Sequence, residues 1–329
     1  RMSDFVHYKA GPPPRSWALR FLETAFLFVM VHYLAWFWAM VGVVVLFWYI
    51  GLWWVALGLV AWYTATFVDN SHMKGGREWR WFRTHRIWRA AHRYLGLEIV
   101  RTAKLDPERR YVFGYHPHGI LILSRIAQYG GVFEELFPGV DVRVLGATPM
   151  FYLPGARDVC LWMCAVDASK SSAIRCLDKG FSLKVYPGGS KEIFTTDPSS
   201  KVTRLVLKNR KGFVKLAMQR GCDLVPVFVF GEKWLYNKRE PPRWLYKTVL
   251  NVLRIPLILF WGRWFTWMPF RRRLAVVYGA PIPVEGKTEH VKQEDLDALH
   301  ARYMQAVKDL FETHKAKFGY APDETVEFV

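Results

Sequence analysis

From Ala25 to Phe67 the chain runs for 43 residues without a single Asp, Glu, Lys or Arg. As one helix this stretch would extend about 65 Å at ~1.5 Å per residue, roughly twice a bilayer's ~30 Å hydrocarbon core. Two coupled spans fit it better: Thr24–Trp48 and Tyr49–Phe67, reversing in the Gly42–Gly51 region. A single long tilted helix and a re-entrant hairpin in one leaflet are the alternatives. A secretory signal fits poorly, because the apolar stretch is too long and no small-residue cleavage site follows it.

Charge supports a hairpin. Arg1, Lys9, Arg15 and Arg20 precede the apolar stretch, and Lys74, Arg77, Arg80, Arg83, Arg86, Arg89 and Arg93 follow it. Basic flanks stay on the cytoplasmic side, so two of them require an even number of crossings and place both termini in the cytosol. The net charge of +18 suits anionic lipid headgroups or a polyanionic soluble substrate. Nucleic acid, a third candidate for so basic a chain, is disfavoured by the hydrophobic hairpin. Arginines alternate with Trp79, Trp81, Phe82, Trp88 and Tyr94 between Arg77 and Leu97, a composition expected of an interfacial segment. Cys160, Cys164, Cys176 and Cys222 form no metal-ligand pattern with nearby histidines and are expected as reduced packing residues.

Beyond the basic segment, β-prone runs appear at Tyr111–Tyr115, Val142–Leu145, Leu183–Tyr186, Leu224–Phe230 and Leu274–Tyr278. Helical stretches lie between them, notably Ser169–Lys179 and Gly212–Arg220. Strands alternating with helices predict a mainly parallel α/β sheet flanked by helices, with functional groups on loops at the strand ends. Leu296, Leu299, Tyr303, Val307, Leu310 and Phe311 make a core-facing stripe on a last helix over Lys292–Phe318. The predicted organisation is a cytosolic segment 1–20, a transmembrane hairpin 21–67, a basic aromatic segment 68–95, a catalytic domain 96–320 and a loose polar tail 321–329.

His116-Pro117-His118-Gly119 follows the first of these strands directly. Proline fixes its own φ, so a stiff turn presents two imidazoles whose unperturbed pKa suits proton transfer near neutrality. A turn with one histidine satisfied by backbone and the other solvated is the non-catalytic alternative. Tyr186-Pro187-Gly188-Gly189-Ser190-Lys191-Glu192 leaves another strand, where adjacent glycines allow backbone to approach a ligand closely. Arg210-Lys211-Gly212-Phe213 opens a helix, a setting that suits phosphate. Leu224-Val225-Pro226-Val227-Phe228-Val229-Phe230 is a buried strand ending on Gly231-Glu232.

These blocks, in this order, resemble the diacylglycerol acyltransferase type 2 family, which includes monoacylglycerol and wax-alcohol acyltransferases. The resemblance also takes in Ala217, Gly221 and Val277-Tyr278-Gly279-Ala280-Pro281-Ile282-Pro283-Val284, the Tyr303–Gly319 helix and the preceding hairpin, covering about Phe21 to Gly319. Ser190-Lys191 departs from the small apolar residues usual before the glutamate. A more distant likeness, to glycerol-phosphate acyltransferases, differs informatively. Those carry an aspartate five residues after the histidine, whereas here Leu121 and Leu123 occupy the equivalent positions. Glu192 is therefore the candidate replacement carboxylate, and a neutral acceptor is implied.

The resemblance implies a membrane-bound enzyme moving a fatty acyl group from acyl-CoA to diacylglycerol, with monoacylglycerol or a long-chain alcohol as alternative acceptors. No cofactor or metal is expected; acyl-CoA is a co-substrate. His118 is the favoured general base, and His116 either shares that role or positions the turn. Backbone donors near Gly119 or Gly188–Gly189 would hold the oxyanion, with Pro117 shaping the turn. Arg157, Lys184, Arg210 and Lys211 are candidates for the coenzyme A phosphates. No Ser or Cys sits in a nucleophile elbow, so no covalent acyl-enzyme is indicated. The endoplasmic reticulum membrane is the expected location, with the lipid-droplet surface as a second one and a homo-oligomer as an open expectation. A non-catalytic membrane-shaping hairpin protein is the reading from another class.

Overall fold

The computed structural model describes residues 5–239, 242 and 258–329. Its strands, in chain order, are β1 (Val6–Lys9), β2 (Glu98–Arg101), β3 (Tyr111–His116), β4 (Val142–Gly146), β5 (Ala165–Asp167), β6 (Ser182–Val185), β7 (Val202–Leu205), β8 (Asp223–Phe230), β9 (Asn237–Arg239), β10 (Leu259–Trp261), β11 (Ala275–Tyr278) and β12 (Thr325–Phe328). Eight of them form one sheet in the order β1-β2-β11-β8-β3-β6-β4-β5. From β8 to β5 all neighbours run parallel; β11 is antiparallel to β8 and β1 to β2. The expected α/β architecture with a mainly parallel sheet is what forms.

Central strands buried on both faces need apolar residues at successive positions, and β3 and β8 supply them. Val112, Leu183 and Leu224 pack on one face with Tyr303, Val307 and Phe311 from the long helix Gln293–His314. Phe113, Tyr115 and Val227 pack on the other with Leu27, Ile126 and Phe133. Ser169 caps the helix Lys170–Asp178 by accepting from Ser172 N, and Gly221, at φ 60°, ends the helix Gly212–Arg220.

The apolar stretch does not form two straight spans. It folds as α1 (Trp17–Val31), a short 3₁₀ turn (Tyr33–Ala35), α2 (Trp36–Tyr49) and α3 (Trp53–Ala65). Helix α1 and the segment Tyr33–Tyr49 are bent by 61°, so the expected first span Thr24–Trp48 is broken. Among the described residues no single helix is long and apolar enough to cross a membrane, although the bent pair passes by length and composition. At ~1.5 Å per residue α2 and α3 measure about 21 and 20 Å, short of a ~30 Å core. None of α2 is buried and only Ala56 of α3 is. The expected interfacial segment is likewise partly core: Trp79 and Trp81 are exposed, but Trp88 is buried and Arg83 is clamped between Glu78 and Glu134 at 2.7 and 2.6 Å.

The tail expected to be loose is ordered. Strand β12 pairs in parallel with β7, Lys233 Nζ meets Glu324 Oε2 at 2.6 Å, and Gly231 N donates to Tyr320 Oη at 3.1 Å. Short length and a polar face hide this strand in the sequence; tertiary partners form it.

Candidate active site

Three parallel strands end side by side on the residues flagged by their motifs. Strand β3 ends at His116, β6 runs into Tyr186-Pro187-Gly188-Gly189, and β8 runs into Gly231-Glu232. The carboxyl ends of parallel strands are where open α/β sheets carry ligands.

His116 is fully buried, with Nε2 3.0 Å from Tyr303 Oη, and Tyr303 donates to Gly114 O at 3.0 Å. A Cβ on Gly114 would overlap that hydroxyl. Burial pushes the His116 imidazole down to about 3, and its Nδ1 has no partner among the described residues. Pro117 follows through a cis peptide bond.

His118 is half-buried. Its Nδ1 lies 2.8 Å from Gly119 O, and this bond requires Nδ1 to donate, which leaves the lone pair of the neutral ring on Nε2. Burial pushes this imidazole below its ordinary value, with Arg125 adding to the shift and the Gly119 carbonyl opposing it. The Tyr186 ring packs edge-on at 5.7 Å.

Glu192 is buried and does not touch either imidazole. Its Oε2 accepts from His118 N at 2.7 Å and its Oε1 from Val206 N at 2.9 Å. It holds the turn by its backbone rather than orienting a ring, which corrects the expectation that it replaces a dyad aspartate. A Cβ on Gly188 would overlap the Glu192 carboxyl, so that glycine is needed for close approach, and Gly189 sits at φ 56°. Glu232 makes the matching contact on the other side: Oε1 accepts from Leu123 N at 2.5 Å, with Ser124 N 3.3 Å from Oε2. A Cβ on Gly119, at φ 67°, would overlap Glu232 Cγ. Burial pushes Glu192 up to about 7 and Glu232 up to about 8.

The phosphate candidates do not gather here. Arg157 is fully buried and donates to Thr66 O and Asp69 Oδ1 at 2.7 and 3.0 Å, tying the end of α3 to the domain. Lys184 is also buried, its Nζ 3.4 Å from the Phe133 ring centre, and burial holds its amine well below the ordinary lysine value. Neither can meet a soluble phosphate. Lys211 pairs with Asp297 at 2.7 Å; Arg210 is half-buried, and its charge acts on Glu192. The sequence marks the Gly231-Glu232 strand end without giving it a role, and it marks Tyr303 as a core-stripe and family-helix residue without linking it to His116. Strand-terminal glutamate after glycine was the available signal; the contact between Tyr303 and His116 spans 187 positions and leaves none.

The fold and site define an α/β enzyme that presents an imidazole at the carboxyl ends of parallel strands. The chain belongs to the diacylglycerol acyltransferase family, whose model matches residues 45–329, and it is an acyltransferase of lipid metabolism. It is 32% identical over 305 residues to 2-acylglycerol O-acyltransferase 1 of Mus musculus, covering 88% of this chain and 89% of that one. It is 33% identical over 292 residues to mouse diacylglycerol O-acyltransferase 2 (84% and 74%) and 34% identical over 279 residues to diacylglycerol O-acyltransferase 2A of Umbelopsis ramanniana (79% and 78%). Among solved structures, a 1-acyl-sn-glycerophosphate acyltransferase from Thermotoga maritima aligns at 17% identity and TM-score 0.39 over 64% of this chain and 68% of that one, a likeness too distant to bear on function.

Proposed function

We propose that this enzyme transfers a fatty acyl group from acyl-CoA to the free hydroxyl of diacylglycerol, forming triacylglycerol. The hydrogen bond from His118 Nδ1 to Gly119 O carries the reading, because it leaves Nε2 unprotonated and aimed out of the turn. In this mechanism Nε2 removes the acceptor's hydroxyl proton as the oxygen attacks the thioester carbon. The carbonyl electrons move onto oxygen, and backbone amides of the Gly119 and Gly188 turns stabilise that oxyanion. Collapse expels the coenzyme A thiolate, which takes the proton from the imidazolium. His116, neutral and bonded to Tyr303, sets the geometry of the turn. No acyl-enzyme is invoked: the four cysteines are buried and Ser124 is engaged with Tyr186.

The acceptor is the finer question. Relatives named for both 2-acylglycerol and diacylglycerol acylation lie at nearly equal identity, so monoacylglycerol is the second reading. The endoplasmic reticulum membrane with both termini cytosolic, and the lipid-droplet surface, are the proposed locations.

The test uses purified protein, labelled acyl-CoA and either no acceptor, diacylglycerol, monoacylglycerol or a long-chain alcohol. Product only with an acceptor, largest with diacylglycerol, is expected. His118→Ala should lower turnover by about 10²–10⁴-fold without loss of fold or membrane association. Free fatty acid without acceptor would mean hydrolysis, and a His118→Ala enzyme with most of its turnover would remove the base.

A further inference from the structure

A cleft between α1 and the sheet is walled by Leu27, Met30, Leu121, Ile126, Val144 and their apolar neighbours, and Arg125 is the one charged side chain in its lining. Among the described residues no carboxylate pairs with this guanidinium; it hydrogen-bonds the Tyr33 side chain, whose ring centre lies 5.3 Å away. Glu232 is close enough to feel its charge but spends its oxygens on the Leu123 and Ser124 amides. A guanidinium has five N–H donors and is never neutral, so the Tyr33 hydroxyl leaves most of them for further acceptor oxygens.

Leu121 and Arg125 bring the cleft next to the His-Pro-His-Gly turn. Arg125 follows His118 by seven residues, and Ser124 Oγ contacts Tyr186 Oη at 3.3 Å, the ring that packs on His118. A neutral lipid that lays hydrocarbon against such a cleft still carries ester carbonyls, and these lie within a few bonds of its free hydroxyl. Taking the acyl-transfer reading as its basis, we propose that Arg125 donates to an ester carbonyl of the acceptor, holding a glyceride with its hydroxyl at His118 Nε2. Arg125 is then a specificity residue: it favours ester-bearing acceptors over long-chain alcohols, which have no carbonyl to offer.

The test compares wild type, Arg125→Met and Arg125→Lys, purified as full chains, with acyl-CoA and either diacylglycerol, monoacylglycerol or a long-chain alcohol. A site built around a polar contact discriminates strongly against a substrate lacking it. Wild type should prefer glycerides, and Arg125→Met should raise KM for diacylglycerol and cut the glyceride-to-alcohol ratio of kcat/KM by about tenfold or more. Arg125→Lys, which keeps the charge, should restore part of that ratio. Equal loss on glyceride and alcohol would make Arg125 a mere packing strut, and an unchanged ratio would remove it from the acceptor; either overturns the proposal. If oleate inhibits wild type but not Arg125→Met while the ratio stays the same, the guanidinium holds a carboxylate instead and the ester assignment falls. A wild type that acylates no acceptor fails at the earlier step, the acyl-transfer reading itself.

Discussion

Glu192 and Glu232 grip the His-Pro-His-Gly turn from two sides, and both do so through backbone amides of the turn and the segment leaving it. Gly188 and Gly119 are glycine because each carboxyl occupies the place of a Cβ. The cost of this arrangement is the burial of two carboxyls, which raises them from an ordinary 4.5 to about 7 and about 8. Between those values and 4.5 the folded chain holds protons that the unfolded chain has released. Their contribution to stability is therefore complete below pH 4.5 and is lost as pH rises through 7 to 8. Melting temperature in detergent should fall from pH 5.5 to pH 8.5, and Glu232→Gln should flatten that slope; a parallel slope in the variant would disprove the assignment. At this scale the sequence showed the imidazoles and glycines, whose types announce proton transfer and close approach. It did not show what the glutamates hold, because an amide 74 or 109 residues away leaves no local mark.

At the scale of elements, α2 and α3 are apolar on nearly every side and bury almost nothing within the protein, the pattern expected of faces that meet hydrocarbon. Leu46, Trp48, Leu57 and Trp62 are all exposed. Replacing Leu46 and Leu57 together by Lys adds about 2.5–3.5 kcal/mol per residue at a helix centre in the membrane. The double variant should float poorly with lipid vesicles while the catalytic domain keeps its circular dichroism; unchanged flotation would place these helices outside the bilayer. The uncharged run was legible from composition, and the break between α2 and α3 falls at the edge of the expected Gly42–Gly51 reversal, but the first break was not legible. The first lies at His32, whose Nδ1 meets Phe28 O at 2.7 Å and whose Nε2 accepts from Trp267 N at 3.2 Å. A partner 235 positions distant cannot be read locally. Central strands were legible because burial on both faces demands continuous apolar residues; the short edge strands β1 and β5 and the terminal β12 carry no such requirement.

Across the whole molecule, residues 320–328 are built into the surroundings of the site. Strand β12 pairs with β7, whose next residue, Val206, donates to Glu192, while Tyr320 and Glu324 fasten Gly231 and Lys233 on either side of Glu232. Breaking the buried Lys233–Glu324 pair leaves an uncompensated charge costing about 3–5 kcal/mol. Lys233→Met and removal of residues 320–329 should both suppress acyl transfer while vesicle flotation persists; a truncated enzyme with normal turnover would show that the latch is dispensable. The same latch sets an order of events during synthesis. Thr325–Phe328 leave the ribosome only after β7, Glu192 and Glu232, so the bracing of the His-Pro-His-Gly turn is completed late in translation.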